Sequence, residues 1–393
     1  MKKKIFILGA GVWQLSGISK LIRSGYKVYV ADTRKNLLEK LINVKKFHIN
    51  SYKISELLNL IKKNKISTCI SFNSDFAVPI INKLNKKLGN NFYPKNIIST
   101  LTEKISFRNF QKRNNFNHPY FLSDYKRIIN HKNYKNNFII KSNISSGSKG
   151  IFTTNTISKK SIFIKKWKNS KNNSLDSKII FEKKIKGREY GGNCFIKDKK
   201  IVDIRITKKI LKRNIVIGHI YPSNLNELTK EKIKKQLTDY IEKLNLDNSI
   251  INFDLKIFKK KIFVIELALR GGGNGLTDVI KYSSNLDYDK INYEKKIYQP
   301  KKKDSFFYCS YIFGSNIEGH IKLLNLNLNN YEFVLKKYIF KNKNEKVHKF
   351  MNNPQAIGMI IFKIKKLSDF YKKKYLFDKK IKLLILKDKN FIW

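Results

Sequence analysis

The sequence predicts an N-terminal α/β domain on a doubly wound parallel sheet, then an α+β region with an antiparallel sheet, then a small C-terminal α+β segment. Three observations carry this. Short apolar runs alternate with helix-period stretches over roughly the first 95 residues. From residue 138 onward, strand-like segments follow one another with few helices between them. The chain has 393 residues, 41% of them hydrophobic, which is apolar material for two or three cores rather than one.

The elements follow in order. Residues 4–8 read as a buried strand, and Gly9-Ala10-Gly11 as a tight turn. Leu15, Ile18, Leu21 and Ile22 recur at helical spacing across residues 14–24, and Gly25 ends that helix. A second strand runs from Tyr26 to Ala31 and stops at Asp32. A helix is expected over 54–64 and a strand over 67–72, with the first domain ending near Pro94. Residues 138–142 and 150–154 read as strands joined by Ser145-Ser146-Gly147-Ser148. Further strands are expected at 178–182, 192–197, 200–208 and 215–220, and a helix at 229–244. Residues 250–258 and 261–267 form a hairpin that turns at Lys259-Lys260.

The formal charge of +54 suggests a polyanionic partner, nucleic acid or an anionic membrane. The make-up of that charge favours another account. Only nine of the 83 basic residues are Arg, and the Lys is spread along the whole chain among abundant Asn and Ile. A compositional drift toward A/T-rich codons raises Lys everywhere, whereas nucleic-acid readers gather basic residues on one face and favour Arg. The three Cys are far apart without metal spacing, which fits a reducing cytoplasm. No apolar run reaches membrane-spanning length.

Several residues suggest chemistry. Gly9-x-Gly11 after a strand, with Asp32 ending the next one, suggests a dinucleotide turn, although Gln14 replaces the third glycine. Lys141 on a strand, followed by the Ser145–Gly150 loop, can wrap phosphate oxygens through backbone N–H groups and a point charge. In so Lys-rich a chain a hairpin with an exposed Lys reads equally well. Glu182 and Glu189 flank a short crossing segment that also reads as a surface charge run. Asp254 and Glu266 fall on adjacent strands of the hairpin and face one side if the register pairs them, a magnesium arrangement. Glu266 lies within an apolar run, where an acid needs a partner or a metal. Arg270-Gly271-Gly272-Gly273 implies close backbone approach to something.

In this order, the pieces resemble the ATP-grasp superfamily over roughly residues 1–285. The resemblance implies an N-terminal Rossmann-like domain (1–95), an ATP-grasp domain (96–298) and a C-terminal domain without assigned role (299–393). It implies ATP and Mg2+, with Mn2+ as a substitute. It makes Lys104 and Lys141 phosphate lysines. Ser146, Gly147 and Ser148 become part of a closing loop. Glu182, Lys183 and Ile185 become adenine contacts and Glu189 the ribose acid. Asp254 and Glu266 become metal ligands, and Arg270 holds a substrate carboxylate or acyl phosphate. One departure stands out: the family reads Glu-x-Asn where this chain has Glu266-Leu267-Ala268. Asn274 is one residue able to compensate.

The implied activity is ligation of a small carboxylate to an amine through an acyl phosphate, catalysed by Arg270 and Lys141 in the cytoplasm. Alternatives are a bicarbonate-using carboxylase, a non-catalytic nucleic-acid binder and a nicotinamide oxidoreductase. Arg205 and Lys208 are candidates to meet an acidic substrate, and a homodimer contact is one role open to the C-terminal segment.

Overall fold

The computed structural model describes residues 3–124, 127, 137–147, 149–154, 160–212, 214–300 and 305–386. The first sheet contains β1 (Lys4–Leu8), β2 (Lys27–Asp32), β3 (Lys45–His48) and β4 (Thr68–Ile70), all parallel in the order β3-β2-β1-β4. Strands β1 and β2 are apolar on both faces. Phe6, Leu8, Tyr29 and Ala31 pack into one core, and Ile5, Ile7, Val28 and Val30 into another. Helices covering both faces explain why these strands read as continuous apolar runs.

A small four-stranded sheet follows, with β5 (Phe121–Leu122), β6 (Phe138–Ser142), β7 (Phe152–Thr153) and β8 (Ile179–Lys183) in the order β5-β8-β6-β7. Phe138 stacks on Phe181 with ring centroids 4.3 Å apart. The large sheet has eight strands. Five are β9 (Arg188–Lys197), β10 (Lys200–Lys212), β11 (Ile215–Tyr221), β12 (Ser249–Phe258) and β13 (Lys261–Ala268). The hairpin between β12 and β13 turns on Lys259 and Lys260, both left-handed with φ of 46° and 63°, as a two-residue turn between twisted strands requires.

Beyond these, β14 (Phe307–Phe313), β15 (Gly319–Leu326), β16 (Val334–Ile339), β17 (Lys346–Val347), β18 (Gly358–Ile364) and β19 (Ile381–Leu386) lie after residue 300. The large sheet runs β13-β12-β9-β10-β11-β14-β18-β16, so strands from either side of residue 298 share one sheet. The remaining three form a separate sheet, β17-β15-β19. Local periodicity could not reveal that β11 pairs with β14, because that contact joins segments nearly 90 residues apart.

Buried ion pairs tie the N-terminal domain to the rest. Lys20, on the helix Leu15–Arg23, reaches Asp287 at 2.8 Å and Asp289 at 2.6 Å. No helix among the described residues is long and apolar enough to cross a membrane.

Candidate active site

The glycine turn after β1 is filled by the protein's own side chains. Gln14 donates through Nε2 to the Leu8 carbonyl, and its Oε1 accepts from Ser71 Oγ and the Phe72 N–H. Gly9, at φ 100°, leaves room for that side chain, since a Cβ there would sit 2.2 Å from Gln14 Nε2. Asp32 accepts from the Ala10 N–H and pairs with Arg34, so its oxygens are used within the protein. These interactions favour a purely structural role for the motif.

The candidate residues gather elsewhere, around a cavity of about 270 Å³ between the small sheet, the large sheet and the N-terminal domain. Lys104, Lys141, Lys184, Lys209, Lys256 and Arg270 border it, against Asp75, Glu189, Asp254 and Glu266. Six cations against four carboxylates leave an excess of positive charge suited to a polyphosphate.

Lys104 opens the helix Lys104–Arg113, and its Nζ lies 3.4 Å from the Asn143 carbonyl and 3.3 Å from that of Ser145. Two phosphate-binding candidates therefore meet, the lysine and the Ser/Gly loop. Ser146 and Gly147 border the cavity, whereas Ser148 lies outside the described residues. The loop rests on the C-terminal segment, where Asn353 donates its N–H to the Gly147 carbonyl. Asn353 and Pro354 also border the cavity, which gives residues beyond 300 a place at the site.

Glu182 does not face the cavity as an adenine contact. Its Oε2 is 2.5 Å from Lys141 Nζ and its Oε1 is 2.8 Å from Arg108 Nε, all three side chains being buried. Burial pushes the carboxyl up, but Arg108 and Lys141 outweigh this and hold it at about 2. Lys141 shares that one carboxylate with Arg108. Burial, aided by the nearby Arg108 and Lys104 charges, leaves its pKa below the usual lysine range. An anionic phosphate would reverse that imbalance. Lys183 is exposed, Lys184 borders the cavity, and the Ile185 carbonyl accepts from Lys256 Nζ at 3.2 Å. Glu189 is paired with Lys256 at 2.7 Å. Burial opposes its ionisation, but Lys209 and Lys256 hold its carboxyl low.

Asp254 and Glu266 are directly opposite each other on β12 and β13, the register that places both on one face. Asp254 meets Lys209 Nζ at 2.6 Å. Burial raises the pKa of Glu266; the Asp75 and Asp254 charges add to this, against Lys104 and Arg270. Arg270 forks onto Asp75 of the N-terminal domain at 2.5 and 2.8 Å.

Several site residues were not singled out in the sequence. Lys209, rather than Lys208, borders the cavity, because strand alternation sends neighbours to opposite faces. Arg205 is engaged by Asp203, at 2.6 Å, and by the Tyr221 hydroxyl, so it is not free for an acidic substrate. His219 borders the cavity with Nδ1 2.8 Å from Thr207 Oγ1. Thr207 gives its one hydroxyl proton to the Gly191 carbonyl at 2.9 Å, so Nδ1–H is the donor and Nε2 carries the lone pair. Burial and the Lys209 charge push the imidazole down to about 3, which keeps it neutral.

A larger cavity of about 870 Å³ lies between the large sheet and β19 and shares Ile151 and Asn214 with this one. Its walls are mainly apolar, and the phosphate and carboxylate candidates are not among them.

Residues 134–278 match the family model of the ATP-grasp domain. In sequence that segment is similar to an ATP-grasp domain, and the chain as a whole shares its fold with the solved structures that follow. Among solved structures it is similar to L-amino acid ligase from Bacillus licheniformis, at 14% identity, covering 98% of this chain and 99% of that one, with a TM-score of 0.81. It is similar to phosphoribosylglycinamide synthetase from Anaerococcus prevotii, at 18% identity over 98% and 100% of the two chains, TM-score 0.72. It is also similar to the biotin carboxylase domain of 2-oxoglutarate carboxylase from Hydrogenobacter thermophilus, at 12% identity over 98% and 92%, TM-score 0.75. No curated protein matches the chain in sequence.

Proposed function

We propose that this chain is an ATP-dependent ligase that joins a small carboxylate to an amine. The observation that carries the reading is the convergence of Lys104, Lys141, the Ser146–Gly147 loop, the Asp254–Glu266 pair and Arg270 on one cavity. A carboxylate oxygen of the substrate attacks the γ-phosphorus of ATP and ADP leaves, giving an acyl phosphate. The amine nitrogen then attacks the acyl carbon, the C–N bond forms, phosphate departs, and the amine gives up a proton.

The residues divide this work. Lys104 and Lys141 neutralise phosphate oxygens, where most of the barrier lies in charge and position rather than in a protein nucleophile. Arg270 exchanges Asp75 for the substrate carboxylate. The loop over residues 145–147 excludes water from the acyl phosphate.

The donor set at Asp254 and Glu266 suits a hard divalent cation. It offers two facing carboxylates, one of them a half-buried acid that no hydrogen bond or ion pair reaches among the described residues. Magnesium bound there would supply further neutralisation of the triphosphate.

The test is phosphate release from ATP across a panel of amino acids and small carboxylates, each with and without an amine. Amine-dependent release accompanied by an amide product, lost in Lys141→Ala, supports the reading. Release that depends on bicarbonate instead replaces it with the carboxylase. Purified protein that binds no ATP in magnesium buffer overturns both.

A further inference from the structure

The strand carrying Glu266 has Ala268 where an amide side chain is expected, and alanine has no atom to offer a cation. Directly across from Ala268, on the neighbouring strand, stands Asn252. We infer that Asn252 supplies from β12 the amide-oxygen ligand that β13 lacks, so that Asp254, Glu266 and Asn252 together hold the divalent cation of the nucleotide. This rests on the ATP-dependent reading above and adds to it a residue outside the motifs named in the sequence.

Register is the first argument. Asn252 pairs with Ala268 and Asp254 with Glu266, with the strand irregularity falling only after Asp254. Residues two apart on a strand share a face, so Asn252 lies on the face of Asp254, one cross-strand pair along. Moving an amide from position 268 to position 252 shifts its origin by one interstrand spacing and keeps it at the same level along the hairpin.

Orientation is the second. Asn252 Nδ2 donates to the Gly192 carbonyl at 2.8 Å and lies 3.4 Å from Asn193 Oδ1. Asn193 Oδ1 also accepts from the Gly272 N–H at 2.9 Å, so both neighbours on that side are acceptors. The amide therefore turns NH2 inward, which sends Oδ1 to the cavity side. There, among the described residues, it meets only the long 3.4 Å contact from Arg270 Nη1, and Asn252 borders the cavity. Gly272 makes this fit, because a Cβ there would come within 2.7 Å of Asn252 Nδ2.

Chemistry is the third. A neutral amide oxygen beside two carboxylates is a ligand set for Mg2+ or Mn2+. Asn274 also borders the cavity, but from the turn beyond Arg270, at φ 58°, and not from the β12–β13 pair that carries the two carboxylates.

The experiment is Mn2+ titration followed by electron paramagnetic resonance on the full chain with ADP, with circular dichroism as the fold control. The wild type should bind Mn2+, and Asn252→Ala should weaken it about tenfold. Asn252→Ala combined with Ala268→Asn should recover most of the loss. Asn252→Asp, which keeps an oxygen and loses the inward donor, should bind at least as tightly as wild type. A purely structural role for the Nδ2 contact predicts loss in Asn252→Asp too, and that outcome overturns the inference. Wild-type binding in Asn252→Ala, or no recovery in a folded double variant, also overturns it while leaving the ATP-dependent reading intact. A wild-type chain that binds neither ADP nor Mn2+ removes both.

Discussion

Lys141 on β6 and Glu182 on β8 form a buried ion pair at 2.5 Å, and Arg108 holds the other carboxylate oxygen. Glu182 thus acts through Lys141, fixing the ammonium that faces the cavity. Its replacement by Gln leaves two buried cations sharing a neutral amide. Breaking such a pair costs about 3–5 kcal/mol. Glu182→Gln should lose about that much in urea denaturation and should weaken ATP binding in calorimetry. Stability unchanged within 0.5 kcal/mol, about the size of an ordinary surface effect, would contradict this. The sign with pH follows from its folded value of about 2, below its ordinary 4.5. The stabilisation is complete above pH 4.5 and fades as pH falls toward 2.

Glu266 should behave oppositely. Burial and the Asp75 and Asp254 charges raise its pKa, so the ionised acid opposes folding of the empty chain. Stability from this group is greatest at low pH and declines as pH rises through the folded value. Glu266→Gln should therefore raise the melting temperature without ligands while cutting turnover at least about a hundredfold. Paired thermal melts and turnover assays check this, and a variant that melts lower or turns over normally would refute it.

His219 carries a third prediction. Burial and Lys209 hold its imidazole near 3, below the usual 6.5. The unfolded chain takes up this proton first as pH falls, so stability is full above 6.5 and declines toward 3. His219→Asn should flatten the acid limb of a stability-versus-pH curve between those values. An unchanged limb would show that the imidazole is protonated in the folded chain.

Lys20 joins the N-terminal domain to the segment after the large hairpin. Replacing it with Met leaves Asp287 and Asp289 without the ammonium that both contact. A loss of about 3 kcal/mol is expected, since an uncompensated buried charge remains. Chemical denaturation measures the loss. Adding Asp289→Asn should restore part of it.

What the sequence determined alone follows from short-range physics. Apolar runs between turns located β1, β2 and β4, and two lysines at a hairpin tip located the β12–β13 turn, because these signals span only a few residues. Counted back from that turn, a regular ladder sets Asp254 opposite Ile265, and it is the bulge between Asp254 and Leu255 that brings Glu266 across from it. Tertiary structure decided the rest. Glu182 looked like a nucleotide contact until Arg108, from a helix 74 positions earlier, and Lys141 enclosed it. Lys209 looked like any other lysine in a chain crowded with them, although its position, two residues along the strand from Thr207, carried the face information. Asn252, two residues before Asp254, carried the same period-two signal. Asn353 and Pro354 could not have been placed at all, since they reach the cavity through a sheet whose order joins β11 to β14 and β18. Strand periodicity assigns a side chain to a face, but only the pairing of distant strands decides what that face meets.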